Sequence, residues 1–326
     1  MGLEKGVPTS GPLLAALATV GGLWTSFQMY NLASFIYLHF VRRSSLDRYK
    51  QSGSQGPAWA LVTGASDGIG RGFAEELCHR GFNVIIHGRN EKKLQGVKDA
   101  LLQQWPQREI RLLIIDAADG RGAISEIEAA ATQLQDVNIR VLINNVGGTA
   151  GMPSFLTLEE RSASDVAKFI DLNAQFPTLI TRALLPLLIK CKPALILNMG
   201  SASSEIPAPW TTVYSGSKAY NKAWSRSLGA EMKAEGHDIE VICILLGVTA
   251  TAMMQKKTSL MIPSSRQMAK SSLDVVGCGR SEVWAYWPHA VQFGPVLNLP
   301  QSVIEKISIG ALRNEKAADE AKLKDC

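Results

Sequence analysis

The sequence predicts an α/β fold: a doubly wound parallel sheet in one large domain, with an apolar segment ahead of it. Three observations carry that expectation. A short apolar run, Ala58-Trp59-Ala60-Leu61-Val62-Thr63, passes straight into the glycine-rich turn Gly64-Ala65-Ser66-Asp67-Gly68-Ile69-Gly70 and then into helical spacing. From there strand-like and helix-like runs alternate without an internal repeat, the pattern of βα units. Finally, 326 residues that are 46% hydrophobic and 19% charged support a large core and argue against disorder.

Charge and cysteine content exclude several classes. The net charge is +5, with Lys and Arg dispersed and no dense basic run, which argues against a nucleic-acid partner. The five cysteines, Cys78, Cys191, Cys243, Cys278 and Cys326, are scattered and form no Cys-x-x-Cys pair. They read as free thiols in a reducing compartment, with neither a disulfide framework nor a metal site.

The first element is apolar. No charged residue occurs from Val7 to Val41, and Leu13 to Val41 is long enough to cross a bilayer. Trp24, Tyr30 and Tyr37 suit interface positions, whereas Gln28, Asn31 and His39 interrupt the run. Arg42, Arg43, Arg48 and Lys50 follow, against Lys5 before, so the bulk of the chain is expected on the cytosolic side. A spanning helix, an embedded hairpin and a soluble packing helix all remain open. A signal peptide is disfavoured by the reversed charge bias and the length. Residues 1–43 are thus expected as a membrane anchor and 44–57, with Gln-Ser-Gly-Ser-Gln-Gly-Pro, as a linker.

Residues 58–252 carry the core. Phe73, Ala74, Leu77 and Cys78 recur at helical spacing until Gly81. In such a turn, backbone N–H groups and a helix N-terminus approach a pyrophosphate, which assigns Gly64, Ser66, Asp67, Gly68, Ile69 and Gly70 to a dinucleotide. The next strand, Asn83–His87, ends in Gly88-Arg89 where an NAD site usually has a carboxylate. Arg89, with Lys93 one turn on, favours a 2′-phosphate and hence NADPH. Glu91–Gln104 reads as a helix and Ile110–Ile115 as a strand ending at Asp116, placed to meet an adenine. Ala123–Gln135 reads as a helix, and Arg140–Ile143 as a strand ending in Asn144-Asn145-Val146-Gly147. Gly64, Arg89, Asp116 and Asn144 therefore share the C-terminal ends of the strands, where such sheets bind ligands.

Tyr214 and Lys218 lie four apart on one helix face. A nearby ammonium lowers a phenol pKa from about 10, making Tyr214 a general acid or base. Ser201 follows the apolar strand Leu195–Gly200, thirteen residues before Tyr214, with Ser203 and Ser204 as alternatives. The turn Thr63–Gly70, the run Asn144–Gly147 and Tyr214-x-x-x-Lys218 together resemble the short-chain dehydrogenase/reductase family, firmly over Ala58 to Ala252. The resemblance implies a Rossmann-like fold and the catalytic set Asn173, Ser201, Tyr214 and Lys218. It assigns Ser201 to the substrate carbonyl and Tyr214 to the proton. Lys218 goes to the nicotinamide ribose, and Asn173, read on a long helix reaching toward Lys190, to a water linking Lys218 to solvent. Where many members carry Pro-Gly, this chain has Leu246-Gly247-Val248-Thr249, with Val248 left to contact the carboxamide. No metal is implied.

Within the family, the chain is similar to the membrane-bound branch that reduces very-long-chain 3-oxoacyl-CoA in microsomal fatty-acid elongation. The apolar N-terminus, Val146, Ile206-Pro207-Ala208-Pro209 and Ser259-Leu260-Met261-Ile262-Pro263 carry that likeness. It implies an acyl-CoA substrate, a place on the cytosolic face of the endoplasmic reticulum membrane, and other elongation enzymes as partners. Residues 253–326 are expected as a substrate lid and C-terminal extension, with Met253, Met254, Leu260, Met261, Ile262 and Met268 facing an acyl chain or simply packing. Val283–Pro300 reads either as an interfacial segment or as a strand and loop. The tail, with Lys322 and Lys324, resembles a dilysine retrieval signal. Two other functions remain: reduction of a steroid or secondary-metabolite ketone, and a catalytically silent NADPH-binding subunit.

Overall fold

The computed structural model describes residues 11–51, 56–149, 151–252, 254 and 256–324. Part of the expected linker (52–55), Met253 of the lid, and Asp325 and Cys326 of the tail lie outside the described residues. The chain divides into two compact units, 1–43 and 44–326.

In the first unit, α1 (Gly11–Ile36) runs for 26 residues, about 39 Å at 1.5 Å per residue, and continues into a π turn, Tyr37–Val41. None of its residues is buried, and Leu13, Leu17, Leu23 and Phe27 are each exposed over more than half their surface. Thr19 donates to the Ala15 carbonyl, which satisfies its hydroxyl within the helix. Its mean hydropathy is diluted by Gln28, Asn31 and glycines. Among the described residues, the helical stretch that passes a length-and-hydropathy test for a span is Ala163–Lys190, and 56% of that window is buried inside the fold.

The second unit is a seven-stranded parallel sheet of order β3-β2-β1-β4-β5-β6-β7. Its strands are β1 (Trp59–Val62), β2 (Asn83–Gly88), β3 (Ile110–Ile114), β4 (Ile139–Asn144), β5 (Ala194–Met199), β6 (Ile239–Leu245) and β7 (Glu282–Trp284). The β1, β2, β4 and β5 runs are buried at every position, as a sheet covered on both faces requires. Alternate residues Leu61, Ile85, Leu142, Ile196 and Val241 form one face. They pack with α4 (Gly122–Gln133), α6 (Phe176–Lys190) and α7 (Thr212–Ala234) through Ile127, Ile180, Leu184, Leu188 and Leu228. Against β1 and β2 lies α2 (Gly68–His79), with α3 (Glu91–Gln104) on β2 and β3, and α8 (Ser265–Asp274) against α2.

Three elements differ from expectation. The helix carrying Asn173 is not continuous: α5 (Ala163–Ile170) passes through a π turn, Asp171–Gln175, into α6. The first half of the expected linker is docked. Leu46 and Tyr49 are fully buried, Ser44 Oγ donates to the Leu273 carbonyl, and Tyr49 Oη donates to Glu240 at 2.7 Å. Its polar composition hid two apolar anchors. The Val283 region is the short edge strand β7 followed by α9 (Trp287–Phe293), and α10 (Gln301–Lys324) closes the chain.

The α2–α8 crossing is close at Gly72, where a Cβ would lie 2.8 Å from the Ser265 carbonyl oxygen and 3.0 Å from Arg266 Cα. Alanine in a helix gains about 1 kcal/mol over glycine, whereas overpacking costs about 1–3 kcal/mol. The facing atoms are backbone and cannot rotate aside, so overpacking wins. Gly72→Ala is expected to lower the melting temperature by about 2–6 °C. An unchanged or higher melt in thermal denaturation would mean the two helices can separate freely.

Candidate active site

The sheet order reverses between β1 and β4, and their C-terminal ends open a crevice. Thr63 clasps that opening. Its hydroxyl donates to the Ile143 carbonyl and accepts from the N–H groups of Asn145 (2.9 Å) and Val146 (3.0 Å). Asn145 Nδ2 returns to the carbonyls of Thr63 and Gly64, so the glycine turn is shaped by the loop after β4. Asp67 caps α2, its carboxylate accepting from Gly68 N–H at 2.6 Å. Gly68, Ile69 and Gly70 form the first turn of that helix, with its positive end at the crevice.

A cleft lies there, its lining including Gly64, Ser66, His87, Gly88 and Arg89 together with Asp116, Val146, Gly147 and Leu172. Four expected positions line it: Gly64, Ser66, Arg89 and Asp116. The other expected cofactor residues are not part of its lining, Lys93 and Asn144 among them. Lys93 is exposed on α3, where its backbone N–H meets the Asn90 cap. Asn144 is buried in the core, its amide donating to Thr181 Oγ1 (2.8 Å) and Asn198 Oδ1 (2.7 Å). It ends a strand as expected, but its side chain points to the sheet's interior, and Val146 and Gly147 reach the cleft instead. Arg89 is not free of an acid either, because Asp116 lies 3.7 Å from its Nη1.

His87 was not singled out by its sequence position, since it sits inside an apolar strand. Its ring is buried and stacked on Phe176 at 4.9 Å, and its Nδ1 accepts from Gly64 N–H. Burial pushes its pKa down to about 4, so the ring is neutral at pH 7.

At the C-terminal end of β5, three of the four expected catalytic side chains meet. Ser201 Oγ accepts from Ser203 Oγ (2.9 Å) and Ser203 N–H, so the neighbouring serine serves to orient Ser201. Ser204 donates to the Ser201 carbonyl. Lys218 Nζ lies 5.8 Å from the Tyr214 ring centre and donates to the Met199 carbonyl at 2.9 Å. The expected lowering of the Tyr214 pKa does not appear. Desolvation raises it, opposed by a hydrogen bond from Ser201. Burial of the phenol itself is the larger cause, and Lys218, also buried, has its own pKa lowered to about 8. A raised pKa keeps the phenol protonated, the form that donates to a carbonyl oxygen.

Asn173, on the π turn, fastens the loop after β4: Oδ1 accepts from Gly148 N–H, and Nδ2 donates to the Gly148 and Phe169 carbonyls. A Cβ on Gly147 would lie 2.8 Å from Asn173 Oδ1 and 3.1 Å from Lys218 Nζ, so these two groups close on that glycine. Behind them runs a buried polar chain. Asn198 Nδ2 donates to Ser225 Oγ, Ser225 to the Asn221 carbonyl, and Asn221 Nδ2 to the Asn173 carbonyl at 2.7 Å.

The loop after β6 lies between the two ends of the site. Thr251 Cγ2 is the nearest atom to a Cβ built on Gly68, and Ala202 N–H donates to the Leu246 carbonyl. Thr249 Oγ1 in that loop is buried without a hydrogen-bond partner among the described residues. On the side away from the cofactor turn, buried Arg161 donates to the carbonyls of Pro153, Ser154 and Trp210, the last a residue at φ +61°. Ser259 and Ile262 exchange backbone hydrogen bonds in a tight turn that leaves Leu260 and Met261 exposed.

A family model described as short chain dehydrogenase matches residues 58–261. A Neurospora crassa protein named very-long-chain 3-oxoacyl-CoA reductase is 31% identical over 282 residues, covering 85% of this chain and 82% of its own length. A Pongo abelii protein named inactive hydroxysteroid dehydrogenase-like protein 1 is 32% identical over 290 residues, with 86% and 84% covered. A solved short-chain dehydrogenase from Sphingobium yanoikuyae in complex with NADPH shares the fold. Its TM-score is 0.60 at 24% identity, over 75% of this chain and 97% of that one.

The buried Lys218 makes a stability prediction. Its pKa is about 10.4 when unfolded and about 8 when folded, so the unfolded chain binds the extra proton between those values. Below pH 8 the folded state carries the whole cost of a buried ammonium, and that cost is relieved as pH rises toward 10. Lys218→Met is therefore expected to be more stable than the parent at pH 7, by up to roughly 3 kcal/mol, with the gap closing toward pH 10. Urea titrations at pH 7 and pH 10 check this; a gap that is absent or independent of pH refutes it.

Proposed function

The chain belongs to the short chain dehydrogenase family, and on that footing we propose that it is an NADPH-dependent reductase of very-long-chain 3-oxoacyl-CoA, yielding the 3-hydroxyacyl-CoA. The observation that carries this reading is the convergence of Ser201, Tyr214 and Lys218 at the end of β5. The names of the fungal relatives, the Neurospora crassa protein among them, supply the substrate class.

The residues present fit the cofactor. The α2 N-terminus faces the crevice, Arg89 offers a cation at its rim, and the unpartnered Thr249 hydroxyl waits in the loop after β6. Gly64, Ser66, Asp67, Gly68, Ile69 and Gly70 would hold the pyrophosphate, Asp116 the adenine, Arg89 the 2′-phosphate and Val248 the carboxamide. The Arg89–Asp116 pair is exposed and long at 3.7 Å, so the guanidinium keeps donors for that phosphate. When bound, NADPH supplies the hydride.

The chain's own residues do the rest. Ser201 Oγ, held by Ser203, turns its proton to the substrate carbonyl oxygen and sets its position. Tyr214 donates its phenolic proton to that oxygen as negative charge develops there. Lys218 stabilises the phenolate that remains and, near pH 7, is protonated and able to restore the proton. Asn173 anchors the backbone beside Lys218.

Residues 1–43 are proposed as the anchor to the endoplasmic reticulum membrane, residues 58–252 as the reductase on its cytosolic face, and 253–326 as the lid. The support is an uncharged helix with exposed apolar sides, which lipid would cover. A long acyl chain partitions into a bilayer at about 0.8 kcal/mol per CH₂, so an anchored enzyme meets its substrate where it resides. Other elongation enzymes are the expected neighbours there.

A second reading, reduction of a steroid ketone, has behind it only the words hydroxysteroid dehydrogenase-like in the name of the Pongo abelii relative, and that name also calls the relative inactive. NADPH oxidation by the full chain in detergent, with a long-chain 3-oxoacyl-CoA beside a steroid ketone, separates the two. Turnover of the acyl-CoA supports the proposal, and turnover of the steroid alone replaces it. Tyr214→Phe is expected to keep NADPH binding while losing about 10²–10⁴-fold in turnover; near-normal turnover would remove Tyr214 as the acid. Arg89→Ala should weaken NADPH far more than NADH, and equal losses in a titration of both would end the 2′-phosphate role.

A further inference from the structure

The loop after β6 lacks the proline that stiffens it in many relatives, so something else must aim Leu246–Thr249. His289 on α9 is fully buried and lies against this loop. Its Nδ1 accepts from Gly247 N–H at 3.1 Å, and its Nε2 lies 3.2 Å from the Met261 carbonyl. The neighbours fix the tautomer. An N–H can only donate and a carbonyl can only accept, so Nδ1 is bare and Nε2 carries the proton.

The ring has little freedom to do otherwise. Tyr286 packs edge-on at 5.1 Å and donates its own hydroxyl to the Leu260 carbonyl. Phe293 stacks on Trp284 at 4.8 Å and abuts Gly247, where a Cβ would lie 2.8 Å from Phe293 Cε2 and 3.1 Å from His289 Cδ2. The loop backbone at Gly247 is thus held close against both rings. Burial also lowers the imidazole pKa, which holds the ring neutral, as both bonds require.

We propose that His289 is a positioning residue for the cofactor and substrate sides at once. Its Nδ1 holds loop 246–249 toward the nicotinamide, and its Nε2–H holds the Ser259–Ile262 turn over the substrate. The inference rests on the reductase reading for the direction in which those two segments face. It assigns His289 no contact with the reacting atoms.

The two bonds are separable by isosteres. The Asn side-chain oxygen occupies the place of Nδ1, and the Gln side-chain amide that of Nε2. His289→Asn keeps an acceptor for Gly247 and loses the donor to Met261. His289→Gln does the reverse, and His289→Phe loses both. Each full-length variant is measured for its thermal melt, for NADPH affinity by fluorescence titration, and for the KM of the 3-oxoacyl-CoA. In His289→Asn, the NADPH Kd is expected to stay within about threefold of the parent while KM rises about tenfold. In His289→Gln, the NADPH Kd is expected to rise about tenfold with KM changed less. His289→Phe should show both losses. If Phe fails to fold, the Asn and Gln pair carries the test alone. Parallel shifts of both constants in Asn and Gln, or no shift in either, would overturn the proposal and leave His289 a packing residue. Failure of the parent to turn over the acyl-CoA would strike the substrate reading instead. In that case the Kd order, with Gln and Phe weaker than Asn, still decides the Gly247 bond.

Discussion

The buried chain of amides and hydroxyls behind the site is the constraint on which the arrangement rests. It starts at Thr181 on α6, crosses the sheet through Asn144 and Asn198, and returns through Ser225 and Asn221 to the Asn173 carbonyl. Each bond contributes on the order of 1 kcal/mol, but leaving a partner unpaired costs about 1–3 kcal/mol. The asymmetry makes the chain a specifier of geometry. A shift of α7 against the sheet would strand several polar groups together, so Tyr214 and Lys218 keep their place relative to β5. The π turn belongs to the same constraint, because it is where Asn173 offers its side chain to Gly148 and its carbonyl to Asn221.

Much of this was legible in the sequence wherever a signal was local. The bounds of α3 follow from an Asn cap and a helical apolar period, and β1 with its glycine turn follows from composition and order. The set Ser201, Tyr214 and Lys218 came from the family resemblance, with the helical spacing of Tyr214 and Lys218 and the place of Ser201 after β5 as its local signals. The illegible parts depend on tertiary contacts. A strand-end asparagine can face the cleft or the core, and only the neighbouring strand decides; Asn198 claimed Asn144. The direction of the Tyr214 pKa turned on how deeply the phenol itself is buried, which spacing does not report. His289 gave no signal because the groups it holds lie 42 and 28 residues away in the chain.

The apolar segments show the same boundary from the other side. Ala163–Lys190 passes a composition test for a membrane span and is a core helix, whereas α1 falls short of that test yet buries nothing. Mean hydropathy cannot separate these cases, because a helix between a sheet and its neighbours needs as much apolar surface as one in lipid. What separates them is the surroundings each finds, and the complete lack of charge from Gly11 to Val41 is the better guide to α1.

The strand order also sets a timetable for the nascent chain. Thr63 and Ile143, the two sides of the clasp, are 80 residues apart. At roughly 5–20 residues per second, the ribosome delivers the second roughly 4–16 s after the first. During that interval β1 can pair with β2, but its other edge waits as an unpaired, fully apolar strand beside an exposed glycine turn. A strand that ends up inside the finished sheet, third of seven, is therefore the interior edge that stays open longest during synthesis. The period in which the chain most needs protection from aggregation ends when β4 emerges.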